Sequence, residues 1–206
     1  MKARENTMII NSLVRQALVA AQEVMGENGL NAVLRASGLE RFIGNFPPNN
    51  LEPSIQASQY AKLNEAIEAF YGRAGKGMLR RIGKASFQYG VREQAALLGI
   101  AGVALKLLPE RQRIKFILNG MADALKKSNP QVQAWVEDSG DHIAYIEATC
   151  AICHSRQSDT PICHVYVGSI AEAVLWATGK EFDVIETHCL AKGDEYCRFE
   201  VGEARP

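Results

Sequence analysis

The chain has 206 residues, 47% of them apolar and 22% charged, which is enough for one domain with a sizeable core and excludes extended disorder and collagen-like repeats. Lysine plus arginine equals aspartate plus glutamate at 23 each, so the basic excess that nucleic acid or an anionic membrane surface selects is missing. The longest apolar run, 95–105, is far short of the roughly 20 residues a bilayer span needs, and Glu5 and Asn6 interrupt any export signal, so a cytoplasmic location is expected.

Apolar side chains at Ile9, Leu13, Ala17, Ala20, Ala21 and Val24 follow helical spacing and predict an amphipathic helix over 7–25, ended by Gly26. Its apolar face is suited to a second copy of itself, so a homodimer is expected. A short helix fits Leu30 to Ala36, the stretch from Asn45 to Asn50 reads as a stiff turn, and longer helices follow at 54–71 and 78–94. Pro109 opens a further helix with a stripe of Ile114, Ile117, Leu118, Met121 and Leu125. After Pro130 the period changes to two. Alternation through Val132, Ala134 and Val136, a turn at Asp138–Asp141 and a second run to Glu147 predict a hairpin.

Helical spacing returns from Cys163 to Thr178, with Gly179 as a C-terminal cap, and strands at 182–189 and 196–201 close the chain. The order predicts an α+β fold: a helical part over 1–129, then an antiparallel sheet with one helix over 130–206. Trp135, Tyr145, Phe87 and Trp176 are expected in the core. The basic residues Lys76, Arg80 and Lys84 share one helical face, which reads first as a solvated face.

All five cysteines lie beyond residue 149: Cys150, Cys153, Cys163, Cys189 and Cys197. In a reducing compartment such clustering reads as metal or redox chemistry before disulfides. A last hairpin turning on Gly193 sets Cys189 opposite Cys197, with Thr187 facing Phe199 and Glu186 facing Glu200. Directly opposed side chains lie about 5 Å apart at Cβ, within reach of one zinc through bonds of about 2.3 Å. The opposed glutamates call for a cation, yet Glu186 and Cys189 point to opposite sides of an unbroken strand, so joint ligation requires a bulge or an early strand end. Cys163 opens a helix, where the dipole favours its thiolate, and is the candidate for a further ligand.

Cys163, then Glu186-Thr-His-Cys189 and a Gly-Asp turn before Cys197-Arg-Phe, spaced by 23, 3 and 8 residues, strongly resemble the 4-vinyl reductase domain family, also described as hydrocarbon-binding. The resemblance covers some 60 C-terminal residues and implies a zinc held by Cys163, Glu186, Cys189 and Cys197 beside a pocket for a small hydrophobic ligand, aromatic or tetrapyrrole-like. It also implies a fold like that of nitric-oxide-sensing haem domains and Golgi vesicle-tethering subunits, and relatives in bacteriochlorophyll biosynthesis operons. A sensor or carrier is one expectation; an enzyme or accessory of tetrapyrrole vinyl reduction is another, and an assembly subunit without ligand a third. No Gly-x-Gly-x-x-Gly turn follows a strand, Gly72 to Gly77 fails the phosphate-loop pattern, and four protein ligands leave zinc no open position, so no catalytic residue is assigned.

Cys150-Ala-Ile-Cys153-His154 matches the c-type haem attachment pattern, but haem attachment normally requires export; a redox pair or second zinc half-site ranks above it, and ahead of these a loop stabilised by local thiol contacts or thiols that join the main site in place of Glu186. His142, His164 and His188 are each ordinary surface or core histidines before they are ligands.

Overall fold

The computed structural model describes residues 7–93, 105 and 107–205. The apolar run 95–105 falls outside these apart from Leu105, as do Glu5, Asn6 and the last residue of the helix expected over 78–94.

The chain opens with a strand missed by the helical reading, β1 (Met8–Ile10), followed by α1 (Asn11–Ala36). Gly26, at φ 74°, breaks α1 into two stretches, so the expected end of one helix and start of the next survive as a kink. Strand β2 (Pro53–Gln56) pairs antiparallel with β1, and α2 (Ala57–Tyr71) follows it directly. Then come α3 (Gly75–Glu93) and α4 (Glu110–Ser128). The second half holds β3 (Ala134–Asp138), β4 (Ile143–Glu147), α5 (His164–Thr178), β5 (Phe182–His188) and β6 (Cys197–Ala204). These four strands form one antiparallel sheet in the order β3-β4-β6-β5. The α+β reading therefore holds, with α4 and α5 packed against the antiparallel sheet.

Helix α5 is central. It packs on α3, α4 and β5, and buries Val165, Val167, Ile170, Ala173, Val174 and Ala177 around most of its circumference. A helix that is apolar nearly all round has no solvent face to offer, so it becomes the core. Its contact with α3 is close because both helices carry glycine at the crossing: a Cβ at Gly83 would run into the Val165 carbonyl, and one at Gly168 into that of Arg80. The buried Glu172 of α5 accepts a 2.7 Å hydrogen bond from Gln88 of α3, which satisfies the one carboxylate the packing encloses there.

The face of α1 expected to dimerise is consumed inside the protomer, where Val14, Ala17, Leu18, Ala20 and Ala21 are buried. Tyr145 is fully buried as expected and Phe87 and Trp176 are half-buried, but Trp135 lies on the outer face of the sheet, edge-on to Tyr196 and donating to Glu137. Among the described residues, no helix is long and apolar enough to cross a membrane.

Candidate metal centre

One pole of the sheet collects the cysteines. Strand β4 ends there and runs into the turn carrying Cys150 and Cys153; β5 brings Glu186 there and Cys189 follows its last residue; β6 begins there with Cys197; and Cys163 stands at the N-terminus of α5. Antiparallel order places the ends of β4 and β5 beside the start of β6, so residues up to 47 apart in sequence converge by topology alone.

The hairpin register carries the correction that makes this possible. Strands β5 and β6 pair His188 with Arg198 but Glu186 with Phe199 and Ile185 with Glu200, because the register shifts between Glu186 and His188. Glu186 therefore does not face Glu200. The bulge turns it to the inner side, buried with Val184, while Glu200 stays on the outer face against Arg198 and Thr187. A bulge re-aims a side chain in just this manner, and it lets Glu186 and Cys189 reach the same site although they are three residues apart.

The donor atoms form two sets of four: Cys163, Glu186, Cys189 and Cys197, and Cys150, Cys153, Cys163 and Cys197, each with its ligand atoms within 4.8 Å of one another. Sulfur–sulfur distances are 3.8 Å for Cys163–Cys197, 3.9 Å for Cys163–Cys189, 3.6 Å for Cys150–Cys163 and 3.4 Å for Cys153–Cys197. None of the five is in a disulfide, and all are buried. Two backbone donors approach from the hairpin turn: Leu190 N–H points at the Cys197 sulfur at 3.4 Å, and Cys189 N–H donates to Asp194 at 2.7 Å, fixing the turn.

The electrostatics suit a cation. Glu186 Oε2 accepts the Cys163 N–H at 2.7 Å, but Oε1 is buried without a partner. Burial, reinforced by Cys189, pushes the Glu186 carboxyl up to about 9, and burial also raises the Cys163 thiol. The helix-dipole advantage expected for the Cys163 thiolate is thus outweighed by desolvation. A divalent ion reverses both, because it replaces lost hydration with direct bonds to the sulfurs and the orphaned oxygen. The donor set fits a thiophilic ion such as zinc.

The buried Cys150 and Cys153 thiols are drawn into this cluster, against Cys163 and Cys197 respectively. His142 and His188 are exposed. His164 is buried with neither ring nitrogen partnered, and burial lowers its basicity. Beside the cluster lies a second polar group that sequence reading did not single out: Tyr145 and Glu147 on β4 and Tyr166 on α5. The Tyr145 hydroxyl and Glu147 Oε2 are buried without hydrogen-bond partners, and burial pushes Glu147 up to about 7, with the neighbouring Tyr166 hydroxyl acting in the opposite sense. The available signal was a glutamate ending an otherwise apolar strand.

The model of the V4R domain family matches residues 145–203, a span that begins in β4 and takes in all six donors. Over these residues the chain is similar to the V4R domain. Over 86 residues the chain is 30% identical to an uncharacterized protein of Methanocaldococcus jannaschii, an alignment covering 41% of this chain and 50% of that one, so the chain spans about half the length of this curated relative. Solved structures extend the likeness beyond the V4R domain to nearly the whole chain. The unliganded Fe(II) H-NOX protein from K. algicida matches with a TM-score of 0.62 at 12% identity, covering 96% of this chain and 97% of that one. An oxygen-binding H-NOX domain related to soluble guanylate cyclases matches at 0.60 and 10% identity, covering 94% and 93%. The fold is that of the H-NOX proteins, and at these identities the likeness is one of fold.

Proposed function

We propose that this protein is a cytoplasmic sensor or carrier of a small hydrophobic molecule, aromatic or tetrapyrrole-like, in which zinc held by Cys163, Glu186, Cys189 and Cys197 fixes the V4R domain. The observation that carries the metal reading is the convergence of these four donors, from three separate segments, on one buried point with an unpartnered carboxylate oxygen. Zinc there would join the start of α5 to the final hairpin and neutralise buried charge; four protein ligands leave it no open position, so its role is structural.

The ligand reading draws support from the V4R match, from the H-NOX fold, and from the unpartnered, buried Tyr145 and Glu147 oxygens, which a polar substituent of a bound molecule would satisfy. In this reading the helical part, 1–129, and the sheet part, 130–206, form the two sides of the binding domain, and a homodimer would use a surface other than the buried face of α1.

Titration with protoporphyrin and with simple phenols, followed by tyrosine and tryptophan fluorescence and by calorimetry without reductant, tests it. Saturable binding at about one molecule per chain is the expected result, and the tetrapyrrole arm tests a link to bacteriochlorophyll chemistry. Absence of saturable binding to either class overturns the ligand reading, and consumption of added reductant with an altered vinyl group would make the protein an enzyme. Sedimentation equilibrium tests the dimer.

A further inference from the structure

We propose that the cluster holds two zinc ions, with Cys163 and Cys197 as bridging thiolates: one ion on Cys163, Glu186, Cys189 and Cys197, and a second on Cys150, Cys153, Cys163 and Cys197. The proposal rests on the reading above for its first ion and adds the second.

Four observations carry it. The two four-donor sets share two sulfurs, the arrangement of two tetrahedra joined along one edge. A tetrahedron with zinc–sulfur bonds of about 2.3 Å has edges of about 3.8 Å. The shared pair Cys163–Cys197 lies at 3.8 Å, and Cys150–Cys163 and Cys153–Cys197, each joining a terminal sulfur to a bridging one, lie at 3.6 and 3.4 Å. Cys150 and Cys153 have the two-residue separation of chelating zinc half-sites, and the chain turns back at once behind them: Arg156 N–H donates to the Cys153 carbonyl at 3.1 Å and Ser155 takes a φ of 58°. Finally, all six donors are buried together, with the cysteine sulfurs facing mainly one another.

A single ion leaves part of this set without a role. Placed on the all-thiolate set, it strands Glu186 Oε1 as a buried carboxylate oxygen without a partner; placed on the other, it leaves two thiols packed against metal-bound thiolates. The second ion uses every donor, and it enters as two thiol protons leave, so the net charge of the buried cluster is unchanged.

The test is the zinc content of the full chain, purified anaerobically and dialysed, together with zinc-edge X-ray absorption. The expected result is two zinc ions per chain and a metal–metal scattering path, falling to one ion and no such path in the double variant Cys150→Ser, Cys153→Ser. One ion per chain in both proteins overturns the second site while leaving the first intact, and no metal in either overturns both. Two ions in both proteins also overturns it, by placing the second elsewhere. If the double variant does not fold, the wild-type count and scattering path decide alone, and one ion without the path overturns the proposal.

Discussion

The two faces of the β5–β6 hairpin solve the same problem in different ways. On the outer face Arg198 lies 2.6 Å from Glu137 and 2.9 Å from Glu200, and the guanidinium holds the Glu137 carboxyl below its usual range. On the inner face Glu186 has a backbone N–H on one oxygen and nothing on the other, and its proton affinity rises with burial. The carboxylates near solvent are balanced by a side chain, whereas the enclosed Glu186 has no side-chain cation beside its free oxygen among the described residues. The contrast teaches that the inner face has the donors to hold a cation, whereas the outer face is a surface ion-pair network.

The largest expected effect comes from breaking the inner face. Cys163→Ser or Cys197→Ser removes a donor common to both sets, and the melting temperature of the protein should fall by at least 10 °C with loss of bound metal, since structural zinc supplies on the order of 10 kcal/mol in small zinc domains. Scanning calorimetry with metal analysis checks it; unchanged stability and metal content would erase the contrast between the faces.

Glu186→Gln sharpens the comparison by having opposite effects on two forms. A neutral amide is a poorer ligand but costs less to bury, so zinc affinity should drop by about 10- to 100-fold while the metal-free protein melts higher than the metal-free wild type. Competition with a chromogenic chelator and parallel melts report both.

Glu147 gives a pH signature. Its folded value of about 7 lies above the ordinary 4.5, so the folded state holds its proton more tightly, and this contribution to stability is full below about pH 4.5 and lost as pH rises through about 7. Glu147→Gln should therefore raise stability by about 2–3 kcal/mol at pH 8 and leave it nearly unchanged at pH 4.5. Denaturant titrations at the two pH values measure the difference; equal effects at both would show that Glu147 does not titrate in this range.

The smallest effect belongs to the outer face. Arg198→Met leaves Glu137 and Glu200 near water, so it should cost no more than about 1 kcal/mol and leave bound zinc unchanged. A loss of metal in this variant would show that the two faces are not independent.

Much of this was legible in the sequence. Among the described residues periodicity located every long helix, and the spacing of Cys163, Glu186, Cys189 and Cys197 singled out residues whose donor atoms the fold brings within 4.8 Å. What was not legible depends on distant partners. Strands β1 and β2 are three and four residues long, and each exists because the other pairs with it some 45 residues away; alone, Met8–Ile10 merges into the apolar pattern of α1. The bulge after Glu186 leaves no mark in composition, so uniform pairing set Glu186 against Glu200. Trp135 reads as core by its size, yet β3 is an edge strand and its outward position meets solvent. For Cys150 and Cys153 the motif left haem attachment, a redox pair, a zinc half-site and a place in the main site all open, and it is the paired ends of β4 and β6 that bring the two thiols to the cluster.

The most direct test of the central claim is elemental analysis of the anaerobically purified, untagged protein beside its absorption spectrum. The account predicts zinc bound stoichiometrically and retained on dialysis, with no visible absorption bands. A folded chain without bound metal, or one carrying iron with visible bands, would contradict it.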